Sequence, residues 1–399
     1  MIDAVRNRAQ SFANIFIFIA IPLSLFSAKA LVPLLIVITL LMFVANGKEN
    51  IKKSFEGGVF IAAFIFLLYA IISSIWSVNE EYSLISALKI IVLSLVGFIF
   101  VNFCRKQQGG SFVYAFVLSI VIALFEFFSG GILTMLFRNM IGSSETVFDP
   151  YLLNRGVAFL AVFFWVVIAI KGRSFWSVTF FAAFLAVAIM SESMSAKLAF
   201  ICSAIAFLVS YFSRGFLDYL MMGAVVILMI AAPIVSVVTY INISHEKREG
   251  LNIPLSAEHR LYIWKFSLEK TKENKMLGHG FNAARYVDGA DEYIVGKEYM
   301  DWHNIPSHPH SNVIQLLLEL GSLGLVLYMM VIITIFVIIK IRIRDDFVRA
   351  SAIAMLISYL VVGMTGFGMW QEWWLVTAFF CAGFMVQAIS SKARARAQN

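Results

Sequence analysis

The sequence has 399 residues, of which 61% are hydrophobic and 14% charged, with a formal net charge of +7. Soluble domains carry about half apolar and about a quarter charged residues, so a water-soluble globular enzyme is excluded, while 24 Gly, 7 Pro and 3 Cys exclude collagen, a disordered chain and a disulfide scaffold. A positive surplus in so apolar a chain reports membrane topology rather than a nucleic-acid partner.

In chain order, apolar stretches of roughly 20 residues predict twelve transmembrane helices. They cover 12–28, 30–45, 58–76, 84–103, 111–129, 156–170, 175–190, 197–212, 217–237, 311–339, 350–368 and 373–390. The expected fold is therefore an all-α polytopic membrane protein in three parts: spans one to nine over 1–237, a polar loop with short helices over 238–310, and three spans with a tail over 311–399. The run at 311–339 is long enough to tilt or protrude. Ala28-Lys29-Ala30 imitates a signal-cleavage site, but a second apolar span follows at once, which favours an uncleaved first helix. Cys104, Cys202 and Cys381 fall in or beside separate spans and read as small core residues.

Basic residues alternate between the two sides. One side gathers Arg6 and Arg8; Lys48, Lys52 and Lys53; Arg105 and Lys106; Lys171 and Arg173; Arg214; Lys340, Arg342, Arg344 and Arg349; and Lys392, Arg394 and Arg396. Short connections on the other side hold only Lys29, Arg138, Arg155 and Lys197. The positive-inside rule then puts both termini in the cytoplasm and the 238–310 loop outside, before span ten. Lys89 and Glu126 lie within spans, where ionisable groups are costly and often functional; a snorkelling lysine and a Lys89–Glu126 pair are both open.

The loop holds all six histidines: His245, His259, His279, His303, His308 and His310. Histidine is the side chain best suited to proton transfer near neutral pH. Within the loop 256–275 is predicted helical, with Ser256 as N-cap, an apolar stripe of Leu261, Trp264 and Leu268, and lysines before Gly278. Arg260 and Trp264 share one face of that helix. Gly278-His279-Gly280-Phe281 reads as a tight turn and not as a phosphate loop, because no strand precedes it. His308-Pro309-His310-Ser311 is expected to open span ten, with Pro309 and His310 in its first turn. There the helix dipole disfavours an imidazolium and attracts phosphate. From His310, the residues Ile314, Leu317 and Gly321 then fall on one helical face.

Three pairs of readings stay open on spacing alone. His303, His308 and His310 could gather around zinc, although 245–249 is no H-E-x-x-H motif. His310 is either a general base or a structural histidine. Arg155, Lys197 and Arg260 either snorkel to headgroups or grip an anion, arginine by its bidentate fork.

His310-Ser311, nine residues, Gly321, two residues and Gly324 resemble the H-[N/S/Q]-x9-G-x-x-G signature of bacterial O-antigen ligases. Gln315 and Glu319 resemble the wider ligase and polymerase superfamily pattern, Arg260 with Trp264 the R-x3-W segment, Leu277 to Phe281 the L-G-x-G-F segment, and Asn154-Arg155-Gly156 the arginine entering a middle span. The resemblance implies a membrane glycosyltransferase of C-type architecture in the bacterial inner membrane, with its active site facing the periplasm. Such an enzyme moves a glycan from undecaprenyl pyrophosphate to a sugar hydroxyl of lipid A–core, the last ligation step of lipopolysaccharide synthesis. It implies inversion, and no metal, cofactor or nucleotide sugar. Carried to this chain, it implies His310 as the base and Arg155 and Arg260 as the pyrophosphate grip. Lys197, which stands where relatives often have Arg, is an expected substrate contact together with Trp264, His308 and Gln315. An O-antigen polymerase using the same donor is the nearest alternative. A twelve-helix transporter or flippase is disfavoured by the absence of a half-to-half repeat.

Overall fold

The computed structural model describes residues 2–47, 51–107, 110–143, 147–242, 253–294 and 301–398. Among them lie fourteen α-helices: α1 (Ile2–Phe26), α2 (Leu31–Asn46), α3 (Gly58–Ile72), α4 (Glu80–Cys104), α5 (Ser111–Ser129), α6 (Ile132–Met140) and α7 (Asn154–Lys171). They continue with α8 (Phe175–Met190), α9 (Met194–Phe212), α10 (Asp218–Asn242), α11 (Leu255–Thr271), α12 (Asn312–Arg342), α13 (Asp346–Thr365) and α14 (Glu372–Gln398). Eleven stretches among the described residues are long and apolar enough to cross a membrane, and they contain every helix except α6, α8 and α11. The predicted seventh span is α8, apolar but only 16 residues long. The chain is an all-α polytopic membrane protein. Its three cysteines are free, two of them buried.

A helix apolar on every side belongs inside a bundle, and α7 is buried without a gap from Gly156 to Ala169. Gly156 allows α1 to cross at backbone distance, since a Cβ there would lie 2.4 Å from Leu25 Cα. Packed on α7, α13 donates from Ser358 Oγ to Ala161 O at 3.2 Å, and Trp165 Nε1 of α7 donates to Ser203 Oγ of α9 at 2.9 Å.

At the lysine- and arginine-rich end, buried Asp218 accepts Arg349 Nε at 3.2 Å and lies 3.4 Å from Lys340 Nζ, joining α10, α12 and α13. Two cations that mark topology thus also hold helices together, and removing both would strand a buried charge. Glu126 does not pair with Lys89. Its carboxylate accepts Leu133 N at 2.9 Å and Thr134 N at 2.6 Å, capping α6, whose N-terminal dipole favours a negative charge. The expected Ser256 cap is also replaced, because α11 starts at Leu255 directly after Pro254. Lys48 and the 245–249 stretch with His245 lie outside the described residues.

Span ten departs most from expectation. Pro309 and His310 precede it: Ser311 is the extended N-cap residue of α12, and His310 has φ +55, a left-handed conformation uncommon outside glycine. Further along, Gly321 breaks the helix with φ 63 and ψ −168, a combination essentially reserved for glycine. Residues 312–320 form an outer arm that is buried except at Leu317, while Ser322 to Arg342 measure roughly 30 Å and can cross a bilayer alone. The stripe expected from His310 through Gly321 is therefore interrupted at both ends.

Before α12 the chain builds a small core of its own. Ile263, Ala284, Val287, Ala290 and Ile305 pack with Leu318 of the outer arm. Two short segments close it, with Ile294 N donating to Trp302 O at 2.7 Å and Ile305 N to Ala290 O at 2.8 Å.

Candidate functional site

Breaking α12 releases main-chain groups that an intact helix would pair. The carbonyls of Leu318 and Glu319 accept His279 N at 2.9 Å and Gly280 N at 2.8 Å, while Ser322 N donates to Lys275 O at 2.9 Å and Leu323 N to Met276 O at 3.3 Å. The four bonds splice segment 275–280 into the gap. Such an approach leaves no room for side chains: a Cβ on Gly321 would lie 2.3 Å from Met276 C, and one on Gly278 2.4 Å from Glu319 C. Two glycine motifs that were separate in the sequence are thus the two halves of one joint. Tyr69 steadies it by donating to Leu320 O at 3.0 Å.

Glu319, buried beside the joint, ties three elements together. It accepts Asn282 N at 3.2 Å, Ala284 N at 3.1 Å and Gln315 Nε2 at 3.1 Å, together with Trp370 Nε1 from the α13–α14 connection. Bonds to a carboxylate are among the strong ones. The residue after Ala284 is Arg285, whose guanidinium lies 5.6 Å from the centre of the Tyr82 ring.

His310 is oriented from two directions. Its Nδ1 donates to Gly366 O at 2.8 Å, which leaves Nε2 with the free lone pair, because a carbonyl only accepts. Trp264 of α11 donates from Nε1 to Pro309 O at 2.7 Å, pinning the preceding residue. These contacts offset the cost of the left-handed backbone. Burial is the main cause that lowers the His310 pKa; the Gly366 bond opposes it, and Arg260 and His259 lower it further, to about 4. The His308 ring centre is 4.2 Å away. Its pKa falls to about 2, first through burial and then through His310, Arg285, Arg155 and Arg260. Its Nδ1 bonds Ser307 Oγ at 2.7 Å. Both imidazoles are neutral at physiological pH.

His308 forms part of the wall of a cavity of about 590 Å³. Among the described residues four cations line this cavity, Lys29, Lys89, Arg155 and Arg285, against a single acid, Glu372. A concave site with such an excess of positive charge concentrates anions. Arg155 enters it from the second position of α7, behind a short turn over Pro150–Leu153 that Asp149 caps by accepting Tyr151 N at 2.8 Å. Gln315 shares the wall, yet both ends of its amide are engaged, with Glu319 and with Met369 N at 2.9 Å.

Of the expected residues, His308, Arg155 and Gln315 line the cavity; His310, Arg260 and Trp264 do not, His310 lying against His308, Trp264 bonding Pro309 O, and Arg260 bearing on the charge of both imidazoles. Lys197 is not in the wall. It sits in the first turn of α9, near Ser195, which donates from Oγ to Thr365 O at 2.9 Å. The other described histidines serve the loop: His259 stacks on Trp302 at 4.6 Å, His279 donates from Nε2 to Lys270 O, and His303 stacks on Tyr293 at 4.4 Å. The three-histidine zinc arrangement is not assembled, and no group of three His, Cys, Asp or Glu among the described residues could hold a metal ion. Arg285 and Lys29 were missed as site residues. Arg285 had no signal beyond its place shortly after the glycine turn, and Lys29 was one of only four cations in the short connections on its side.

Residues 178–329, from α8 through the break in α12, match the family model described as O-antigen ligase. A protein of Rickettsia bellii provisionally named a polysaccharide ligase is 28% identical over 323 residues, covering 79% of this chain and 77% of the relative. Similarly named proteins of Rickettsia prowazekii and Rickettsia conorii are 27% and 26% identical, covering 79% and 78% of this chain and 77% and 75% of their own.

Proposed function

We propose that this chain is a member of the O-antigen ligase family, whose model residues 178–329 match, and that it transfers a glycan from undecaprenyl pyrophosphate to a sugar hydroxyl of lipid A–core. In this reading the histidine end of the bundle faces the periplasm, the membrane is the bacterial inner membrane, and both termini are cytoplasmic. The observation that carries the proposal is a neutral, oriented His310 in contact with His308, which itself lines a cavity carrying four cations.

The chemistry balances without a metal. The acceptor oxygen attacks the anomeric carbon from the face opposite the pyrophosphate and passes its proton to His310 Nε2. The bond between that carbon and the phosphate oxygen breaks, its electron pair leaves with undecaprenyl pyrophosphate, and the anomeric configuration inverts. Arg155 holds the pyrophosphate from the cavity wall, and Arg260, outside that wall, adds positive potential that stabilises the charge growing on it. His308 and Gln315 shape the wall beside the reacting carbon. Trp264 acts through Pro309, and Lys197 lends positive charge from the α9 side.

A deletion strain tests the function directly. Lipopolysaccharide gels should show bare lipid A–core, with polymer left on the lipid carrier. Core bearing a single repeat unit would identify a polymerase instead.

The acidity of His310 sets the pH profile. Protonation removes the base, and the folded pKa lies below the ordinary 6.5, so activity is present above the folded pKa and lost as pH falls through it. For transfer at sub-saturating donor, the rate should stay level from pH 8 to about pH 5 and fall with one-proton steepness near pH 4. An inflection near 6.5 would contradict the buried, neutral base.

A further inference from the structure

Lys29 and Lys89 stand apart from the cations assigned above. Among the described residues neither has an ion-pair partner, although both line the cavity. Lys89 is the tenth residue of α4, roughly 14 Å along the helix from its start. At such a position inside a span a cation is costly and marks a ligand path. Tyr82, Ser86 and Lys89 follow one another at i, i+4 and i+7 and present one face of α4 to the cavity. The adjoining face carries Leu84, Ile85, Leu88 and Val92, all exposed and apolar. Lys89 is itself exposed, so it sits on the seam between the polar cavity and the lipid-facing side of α4. Across the seam, Lys29 precedes α2, whose Val32 and Pro33 also line the cavity.

We propose that Lys29 and Lys89 form a docking subsite for a phosphate borne on a lipid, which reaches the cavity from the bilayer between α2 and α4. The ammonium groups take the phosphate oxygens, and the hydrocarbon chain leaves over Val32, Pro33 and Ile90. A free anion would need the cations alone. The apolar wall beside them, continuous with the lipid-facing surface, matches an amphiphile. The inference rests on the transferase reading for the identity of the cargo, a polyprenyl diphosphate, and not for the existence of the subsite.

The test is equilibrium binding of farnesyl diphosphate to the purified full chain in nanodiscs, beside inorganic pyrophosphate and farnesol. Wild-type protein should bind farnesyl diphosphate well above the other two. Lys29→Ala/Lys89→Ala should weaken that binding at least tenfold, and Lys29→Arg/Lys89→Arg should restore most of it. In transfer assays the alanine pair should raise KM for the lipid-linked donor while kcat stays within about twofold. Unchanged farnesyl diphosphate binding in the alanine pair, with wild-type thermal stability, would overturn the proposal. Pyrophosphate binding as tightly as farnesyl diphosphate would overturn its lipid half. Because the binding readout requires no turnover, a chain that binds through these lysines but transfers no glycan would sink the transferase reading and leave the subsite standing.

Discussion

His310→Ala should reduce glycan transfer by about 10²–10⁴-fold, the usual contribution of a positioned general base, while the protein stays folded in the membrane. Alanine also loses the bond to Gly366 O and must occupy φ +55. His310→Asn separates these effects, since asparagine tolerates the left-handed region and can still donate an N–H, yet offers no base near neutral pH. Equal loss in both variants, with unchanged thermal stability for Asn, is the expected result of donor-to-acceptor transfer assays on purified protein. Substantial activity in either variant would remove His310 from the chemistry and leave it as a structural histidine.

Gly321→Ala should be as damaging by another route. The added Cβ meets Met276 C and O at 2.3 Å, both main-chain atoms that cannot rotate aside, and alanine cannot hold φ 63 with ψ −168. The four splice bonds would open, and with them the position of Glu319 between Asn282, Ala284 and Trp370. A loss of about 3 kcal/mol or more is expected from strain and displaced packing, measured as thermal stability in detergent, with transfer falling below detection. Leu323→Ala, two residues on at an exposed position, should stay within about 0.5 kcal/mol of the parent. Equal stability of Gly321→Ala and Leu323→Ala would mean that the break carries no structural weight.

The bundle was legible in the sequence because lipid leaves a chain few options: backbone groups must pair within the helix, so each span announces itself as a long apolar run. The one stretch that fell short, α8, is equally apolar and differs only in length. His310 and its neighbours were legible through the pattern from His310 to Gly324. Its physical content was not, because the joint at Gly321 is built from main-chain atoms whose partners lie 39 to 47 residues upstream. Local rules also misplaced the start of α12. Proline suits a first turn, but the position of His310 is decided by Gly366 and Trp264, which come from other parts of the chain. Glu126 and Lys89 looked like partners because both are ionisable and buried in apolar sequence. Amides at the start of α6 answer one and the cavity holds the other.

The acceptor that orients His310 is Gly366 O, just past α13, and the indole that meets Glu319 is Trp370, just before α14. Both lie downstream of the histidine they organise. During synthesis the loop, the broken helix and the four cations of the cavity all precede these two groups out of the ribosome. A nascent chain halted short of Gly366 therefore lacks both the acceptor for His310 Nδ1 and the indole that meets Glu319. On the proposed function, the base gains its direction only once residues 366 to 370 have been made, well after the histidine itself.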